Sequence, residues 1–207
     1  VEETTVNEHS DSLRAAYDFD APRRNTNVFD GWRVAVLDDF LGRMSPGSSV
    51  LELGAGAGQA AAYVRDRGYQ VTAMDLSPSN VNLARSRGID AWVGDFTDPD
   101  SDFGIFDGAF AMNSLLHVKK NLWRPTLRVI RNSLRPSGVA LIVVWGGENH
   151  EGYLEDEWTD PPRFFAFYSD DDFASLPTPG FRRVELEFRH DDDEGGLHPQ
   201  VLTLEAA

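Results

Sequence analysis

Residues 50–58 read Val-Leu-Glu-Leu-Gly-Ala-Gly-Ala-Gly, an apolar strand that runs directly into three closely spaced glycines. Glycine has no Cβ atom, so the backbone of such a turn can approach a ligand closely. In an open parallel sheet, ligands bind at the carboxyl ends of the strands. The stretch therefore predicts a strand over Ser49–Leu53 and a ligand site at the glycines that follow it.

Strands and helices alternate on both sides of this stretch. An amphipathic helix is predicted upstream, at Phe29–Leu41. Largely apolar strands separated by helices are typical of a parallel sheet covered on both faces, which is a doubly wound α/β fold. Downstream, the predicted strands are Tyr69–Met74, Ile89–Val93, Phe106–Met112 and Val139–Trp145, and the predicted helices are 59–67, 77–87 and 122–134.

The last third of the chain has a different pattern. Asp170–Leu176 favours a helix, and alternation at Val184–Arg189 and Gln200–Leu204 around a turn-forming run predicts an antiparallel hairpin. Because there is no linker or internal repeat, we predict a single domain over 1–207. Its parts are an N-terminal helical cap segment (1–44, with a short helix around Ser12–Tyr17), a cofactor-binding core (45–146), an acidic and aromatic lid insertion (147–168), and a final helix and hairpin (169–207).

Acidic residues outnumber basic ones by 34 to 19, which gives a formal net charge of −15. A nucleic-acid binder usually presents a basic face to the phosphates, so DNA and RNA are disfavoured as partners. A small molecule or small peptide fits better, and the net charge favours a cationic one. The sequence has no cysteine, which excludes disulfides, thiolate metal sites and a cysteine nucleophile.

No apolar run approaches the roughly 20 residues that a bilayer crossing requires, so no membrane association is expected. Residues 1–5 lack the basic and apolar regions of a secretory signal, and we expect a cytoplasmic location. His150 lies among acidic residues, but no second histidine stands at a paired metal-binding spacing. We therefore expect no metal site.

Asp75 ends the second strand, 21 residues after Gly54. A carboxylate there can accept hydrogen bonds from both hydroxyls of a ribose, although such an aspartate can also cap the next helix. The third glycine of the dinucleotide pattern would fall on Gln59, so the dinucleotide match fails. Glu52 would repel a pyrophosphate but can pair with an ammonium group. These residues indicate a ligand with a ribose at one end and a cationic amino acid at the other.

The motifs resemble those of the class I S-adenosylmethionine-dependent methyltransferases. Residues 52–58 with Asp75 are similar to the first two motifs of that family, and 93–96 (Val-Gly-Asp-Phe) to the third. Phe106–Val118 resembles the fourth motif, and 134–138 the turn before strand five, with serine at 137 where glycine is commoner. The resemblance implies S-adenosylmethionine as cofactor and a seven-stranded sheet of order 3-2-1-4-5-7-6, with its last strand antiparallel.

The resemblance also implies roles for individual residues. Gly54 and Gly56 would face the methionine part of the cofactor, with Glu52 near its amino group. Asp75 would hold the ribose, and Asp95 with its neighbours would recognise the adenine; Glu52 and Asp95 can instead be ordinary acids at strand ends. The implied cofactor contacts are Glu52, Gly54, Ala55, Gly56, Gln59, Asp75, Leu76, Gly94, Asp95, Phe96, Met112 and Asn113.

The acceptor side is less defined. Asn113 would lie beside the sulfonium, and His117, one helical turn further on, would be a general base or else a structural histidine. The lid segment either covers an acceptor or is a solvated loop pinned by aromatic side chains. The candidate acceptor contacts are Tyr17, Trp32, Tyr153, Trp158, Arg163 and Phe164.

The leading hypothesis is a monomeric or homodimeric enzyme that transfers a methyl group to oxygen, nitrogen or carbon of a small-molecule or small-peptide acceptor. One alternative is a non-catalytic S-adenosylmethionine-binding protein, because intact cofactor motifs do not distinguish it from an enzyme. The other is a nicotinamide-dependent oxidoreductase, which predicts a glycine at position 59, where glutamine stands.

Overall fold

A computed structural model describes residues 2–29, 31–155, 159–190 and 196–207, with side chains described from Glu8 onward. None of the helices in these ranges combines the length and apolarity that a bilayer crossing needs. The helices are α1 (Glu2–Arg24), α2 (Trp32–Gly42), α3 (Gln59–Asp66), α4 (Pro78–Ser86), α5 (Trp123–Asn132) and α6 (Asp170–Ser175), with 3₁₀ turns at Leu115–His117 and Lys120–Leu122. The strands are β1 (Ser49–Leu53), β2 (Gln70–Asp75), β3 (Asp90–Val93), β4 (Phe106–Met112), β5 (Leu134–Gly146), β6 (His150–Leu154), β7 (Arg163–Phe167), β8 (Phe181–Phe188) and β9 (His198–Ala206).

Seven strands form one sheet in the order β3-β2-β1-β4-β5-β9-β8. The first five are parallel, and β9 runs antiparallel to both β5 and β8. The predicted doubly wound fold is confirmed. Strands β6 and β7 form a separate two-stranded sheet, so the last two sheet strands carry the numbers 9 and 8 in place of the predicted 7 and 6.

Both faces of the sheet are buried, as a parallel sheet requires. Leu51 and Leu53 belong to a core cluster that contains Leu127 of α5, whereas Val50 belongs to a second cluster with Phe40 of α2. Successive side chains of a strand point to opposite faces, which explains why neighbours in β1 enter different clusters. The helices on the two faces thus hold β1 in the middle of the sheet and fix the position of the turn after it.

The predicted short N-terminal helix at Ser12–Tyr17 is wrong in extent, because α1 covers Glu2–Arg24. Much of this helix is polar. Ala16 and Ala21 are fully buried, but few other apolar side chains of its described part are. A hydrophobic period is therefore weak in this segment, although helix formation satisfies its backbone.

Other boundaries also differ from the prediction: α2 begins at Trp32, and the final hairpin strands β8 and β9 extend beyond the predicted ranges. The lid insertion contains a hairpin, β6–β7, in which Gly152 pairs with Phe165; its mixed glycine, acidic and aromatic composition conceals the strand period. Strand β5 begins at Leu134 and not at Val139, because Leu134 pairs with Phe106 before a register shift.

The carboxyl ends of the central strands meet at one edge of the sheet. The N–H of Gly54 donates to the carbonyl of Met74 (2.8 Å), and the N–H of Asn113 donates to that of Val143 (2.8 Å). Helix α1 packs against α4 and β7 at this edge. The loops after β1 to β4, the hairpin β6–β7 and α1 therefore surround one region.

Candidate active site

Two adjoining cavities lie at this edge. The α1-side cavity, of about 660 Å³, is lined by α1 and the loops after β1 to β4. The lid-side cavity, of about 1530 Å³ including its mouth, extends from the glycine turn (54–58) to Trp145 and β7. The residues that line both are Tyr17, Arg24, Gly54, Gly56, Met112, Asn113 and His117. Every one of the twelve residues implied as cofactor contacts lines at least one of the two cavities.

Each of the three glycines of the turn is required for a different structural reason. Gly54 has a φ of +78°, and a Cβ there would lie 2.3 Å from the Cβ of Ser114. A Cβ on Gly58 would lie 2.8 Å from Cα of Ala84, so this glycine lets α3 and α4 pack closely. A Cβ on Gly56 would meet nothing within 4 Å, although its φ of +53° also favours glycine. Gly56 therefore faces open space suited to a ligand.

Asp75 lies beside this turn at the end of β2 and is only 7% exposed. Its Oδ2 accepts the N–H of Gly56 (2.7 Å), and its Oδ1 accepts the N–H of Ser77 (2.9 Å). Burial raises the pKa of Asp75, although these hydrogen bonds oppose the shift. The carboxylate lines the α1-side cavity, and its remaining lone pairs can accept further hydrogen bonds.

Asp95 occupies the equivalent place after β3. Its Oδ1 accepts hydrogen bonds from the N–H (2.8 Å) and hydroxyl (2.6 Å) of Thr97. Its Oδ2 accepts the hydroxyl of Ser10, which reaches it from α1 (2.6 Å). Leu76 and Phe96 line the same cavity and provide apolar surface for a flat ring.

Glu52 is 3% exposed in the centre of the sheet, and it lines the lid-side cavity. Among the described residues, no group makes a hydrogen bond to its Oε2. Burial raises the pKa of this carboxyl well above its usual range, and the nearby charge of Asp75 adds to the shift. The carboxyl has a hydrogen bond with the backbone of Ala61, but a buried oxygen without a partner is costly, so a cationic ligand group is a natural complement of Oε2.

Asn113 is the first residue after β4, and it lines both cavities. Its φ of +60° is unusual for a residue other than glycine. Its buried Oδ1 has no hydrogen-bond partner in the described part of the chain. A strained backbone together with an unsatisfied acceptor indicates a residue that faces a ligand.

His117 is fully buried between α1 and β7. Its Nδ1 lies 2.6 Å from the carbonyl oxygen of Phe164, which can only accept, so Nδ1 carries the proton. Its Nε2 therefore accepts the hydroxyl of Tyr17, 2.5 Å away. Burial is the main reason that the pKa of His117 falls to about 3; the charges of Arg163 and Arg24 contribute to the fall, and the hydrogen bond to Phe164 opposes it. The imidazole is neutral at physiological pH, and the lone pair of Nε2 already accepts the hydrogen bond from Tyr17.

Basic side chains outnumber acidic ones along the described wall of the lid-side cavity, despite the acidic net charge. Among the described residues that line it, Arg24, Arg33 and Arg163 are basic, and Glu52 is the only carboxylic acid. The guanidinium of Arg163 lies over the Phe165 ring (5.2 Å), which orients it within the cavity. Its apolar and aromatic walls include Phe29, Leu116, Trp145 and Phe165.

A family model described as a methyltransferase domain matches residues 26–177, which is most of the chain. The chain belongs to the methyltransferase domain family. The resemblance to the class I S-adenosylmethionine-dependent methyltransferases is thereby confirmed.

Two solved structures and one curated protein illustrate the relationship. The ubiquinone biosynthesis O-methyltransferase of Xanthomonas campestris pv. campestris is 31% identical over 134 residues, a match that covers 61% of this chain and 54% of the relative. The chain thus spans about half the length of this curated relative. The 1,6-didemethyltoxoflavin-N1-methyltransferase of Burkholderia thailandensis, with S-adenosylhomocysteine bound, has a TM-score of 0.65 and 26% identity, over 84% of this chain and 76% of that one. A methyltransferase from Methanosarcina mazei has a TM-score of 0.69 and 14% identity, over 83% and 96% of the two chains, and shares the fold.

In this methyltransferase-family chain, Tyr17 and Arg163 line the lid-side cavity as predicted for acceptor contacts, whereas Phe164 does not. Neighbours in a strand point to opposite sides, and Phe165 takes the cavity side. The ring of Phe164 instead packs on His9 of α1, at 4.8 Å between ring centroids.

Trp32 and Tyr153 also lie outside the residues that line either cavity. Trp32 packs against Trp145, at 6.3 Å between ring centroids, so it supports the cavity wall from behind. Tyr153 is 55% exposed on β6. Trp158, the remaining candidate, is outside the described residues.

Several lining residues were not predicted, among them Ser10, Arg33, Trp145 and Phe165. One signal for the α1 contacts exists in the sequence, because His9, Leu13 and Tyr17 recur every four residues. That spacing places the three side chains on one face of a helix. Arg33 and Trp145 carry no comparable local signal.

Proposed function

We propose that this chain binds S-adenosylmethionine across the glycine turn and transfers its methyl group to a small-molecule acceptor in the lid-side cavity. The observation that carries the proposal is the buried Oε2 of Glu52, which lacks a partner among the described residues and belongs to the same cavity wall as Gly56. The ammonium group of the cofactor would donate a hydrogen bond to this oxygen. Asp75 would receive the ribose hydroxyls, and Asp95, Leu76 and Phe96 would surround the adenine.

The cofactor supplies an electrophilic methyl group when bound, so the protein's main task is to align an acceptor with it. Asn113 and Tyr17 line both cavities and are placed where the two ligands would meet. We assign His117 a positioning role: it holds the Tyr17 hydroxyl and does not act as general base. A neutral imidazole with a pKa of about 3 has little capacity to take a proton.

The first test is titration calorimetry with S-adenosylmethionine, S-adenosylhomocysteine and NAD. Binding of the first two without NAD supports the proposal, and binding of NAD alone overturns it. Asp75→Ala should weaken cofactor binding by about 1–3 kcal/mol through lost hydrogen bonds to a charged group. The matched control is Asp66→Ala, on the exposed end of α3. Equal affinity of Asp75→Ala and wild type would remove Asp75 from the site.

The acceptor chemistry follows from the arginines. Arg24, which lines both cavities, would pair with the cofactor carboxylate, and this leaves Arg33 in the wall of the acceptor space. We therefore favour a planar acceptor that carries an anionic group over the cationic acceptor that the net charge suggested. The Xanthomonas and Burkholderia relatives, an O-methyltransferase and an N1-methyltransferase, support a small-molecule acceptor methylated at oxygen or nitrogen.

The acceptor proposal is tested with matched pairs of small aromatic acids and their neutral amides, using methyl-labelled cofactor. Acids should be methylated with higher kcat/KM than their amides, and Arg33→Gln should lower kcat/KM for acids by about 10-fold or more with little effect on amides. The control is Arg128→Gln, an exposed arginine of α5 outside both cavities. A panel in which Arg33→Gln affects acids and amides equally contradicts the anionic acceptor. Label transfer to no acceptor, despite cofactor binding, would favour the non-catalytic alternative.

We also propose a division of the single domain (1–207) around its core (45–146). The N-terminal segment (1–44) would act as a cap and the insertion (147–168) as a lid, and the final segment (169–207) would complete the domain. Tyr17 and Arg33 from the first and Arg163 from the second line the cavity where the acceptor would bind.

A further inference from the structure

A second cluster of chemically active side chains lies away from both cavities. Asp170 is the first residue of α6, His190 lies two residues after β8, and His198 is the first residue of β9. One ligand atom from each lies within 4.8 Å of the other two. The three residues come from segments that are distant in sequence and meet at the end of the β8–β9 hairpin.

The spacing within the cluster approaches that of a metal site. Oδ1 of Asp170 lies 2.8 Å from Nε2 of His198, and Oδ2 of Asp170 lies 3.5 Å from Nε2 of His190. Neighbouring ligand atoms of a tetrahedral zinc site with bonds of 2.0–2.1 Å are about 3.3 Å apart. Small side-chain movements would therefore bring the three atoms into coordination distance.

The surroundings of His198 orient it as a ligand. Its Nδ1 lies 3.1 Å from the carbonyl oxygen of Gly196, and its Nε2 lies 2.8 Å from the Asp170 carboxylate. Both nitrogens thus face oxygen atoms, an arrangement that suits a metal ion at Nε2 with the hydrogen of the ring on Nδ1. Metal-bound histidines commonly donate their other N–H to a backbone carbonyl, as Nδ1 is placed to do here.

The carboxylate is held in the same manner. Nε2 of Gln200, a residue with no exposed surface, donates to Oδ1 of Asp170 (2.8 Å) and to the carbonyl of Tyr168 (3.1 Å). Ligating carboxylates are usually oriented by such hydrogen bonds. Two imidazoles and one carboxylate, each of a different segment and two of them fixed by further hydrogen bonds, form a built donor set.

We propose that Asp170, His190 and His198 bind one Zn²⁺ ion, with water as a further ligand. Imidazole and carboxylate donors suit zinc, whereas Mg²⁺ and Ca²⁺ prefer oxygen ligands alone. The ion would join α6, which directly follows the hairpin β6–β7, to the β8–β9 hairpin. No spacing typical of metal ligands points to this site, because the two histidines are eight residues apart and the aspartate precedes them by twenty or more.

The test uses tag-free, chelator-treated protein in equilibrium dialysis and titration calorimetry with ZnCl₂. We expect one Zn²⁺ per chain, competition by Co²⁺ with the visible absorption of a nitrogen- and oxygen-ligated ion, and no binding of Mg²⁺ at the same site. At a free Zn²⁺ concentration 100 times the Kd, Tm should rise by about 5–10 °C. His190→Gln and His198→Gln should each weaken binding at least 10-fold and abolish the Tm rise.

His150→Gln is the control, because His150 lies outside the cluster and should leave zinc binding unchanged. Melting of each variant in chelator shows whether it is folded. His190→Gln is the decisive variant where His198→Gln loses stability, since His190 is largely exposed. Absence of stoichiometric zinc binding by wild-type protein overturns the proposal, and so does binding that survives both histidine substitutions.

Discussion

The hydroxyl of Tyr17 on α1 donates a hydrogen bond to Nε2 of His117, one hundred residues further along the chain. The ring of His117 is held in turn by the carbonyl of Phe164 in β7. Helix α1, the loop after β4 and the hairpin β6–β7 are thereby connected at the point where the two cavities meet.

This connection predicts a specific effect of Tyr17→Phe. The variant keeps the ring that lines both cavities but loses the hydroxyl, so we expect kcat to fall about 10-fold or more while the Kd for S-adenosylhomocysteine changes less than about 3-fold. Single-turnover kinetics and calorimetry measure the two quantities. A large loss of cofactor affinity with unchanged kcat would show that the hydroxyl serves binding instead.

The depressed pKa of His117 predicts the shape of the pH–rate profile. If His117 only positions Tyr17, kcat should show no decline controlled by a group of pKa near 6.5 as the pH falls from 8 to 6. If kcat of wild type declines at low pH with a pKa near 6.5, and this decline is absent in His117→Gln, the imidazole would instead be identified as a general base.

The same group makes stability depend on pH. The pKa of His117 is about 3 in the folded chain and 6.5 in the reference state, so the unfolded chain binds the extra proton between these values. Its contribution is therefore complete above about pH 6.5, and wild type loses about 1.4 kcal/mol per pH unit below it. Denaturant unfolding from pH 7.5 to 5 should show the stability advantage of wild type over His117→Gln shrinking. A constant difference would mean that the ring has the same pKa in the folded and unfolded chains.

Glu52→Gln should have opposite effects on stability and binding. Because the pKa of Glu52 is raised in the folded chain, its contribution to stability is present below about pH 4.5 and is lost as the pH rises towards the folded value. Without cofactor, Glu52→Gln should thus melt at a higher temperature than wild type, with a gap that widens from pH 5 to 8. Its affinity for S-adenosylmethionine should fall about 10- to 100-fold, because a charge-assisted hydrogen bond is lost. Unchanged affinity would contradict an ammonium group at Glu52.

The glycine turn offers a matched pair of substitutions. Gly56→Ala places its methyl group in open space, so it should cost about 1–2 kcal/mol of stability from the positive φ while lowering cofactor affinity at least 10-fold. Gly54→Ala meets Ser114 at 2.3 Å and should impair folding itself. Thermal melts and calorimetry separate the two outcomes. Normal cofactor binding by Gly56→Ala would place the ligand elsewhere.

The alternation of strands and helices was predictable from local patterns, whereas the order of the strands came from the family resemblance. Apolar strands ending at Leu53, Asp75 and Met112 alternate with helices that have recognisable starts, such as Ser77 with Pro78. Most residues proposed to contact the cofactor lie at the carboxyl ends of strands, so their convergence at one edge of the sheet follows from the topology.

The acceptor side depends on contacts between distant segments. Arg33 from α2, Trp145 from β5 and Phe165 from β7 converge only after folding, and no spacing in the sequence relates them. The choice between Phe164 and Phe165 depends on which side of the β6–β7 hairpin faces the cavity. A net charge summed over the whole chain likewise conceals a local cluster of arginines.

Helix α1 covers the α1-side cavity with hydrogen bonds from Ser10 to Asp95, from Ser77 to Asp18 and between His9 and the carbonyl of His117. A cofactor bound as proposed would lie under this helix. We therefore expect the residence time of the demethylated product to depend on how often α1 detaches, so that residues that never touch the reacting atoms affect the turnover number. In that case α1 sets the rate of product release and is also a wall of the site.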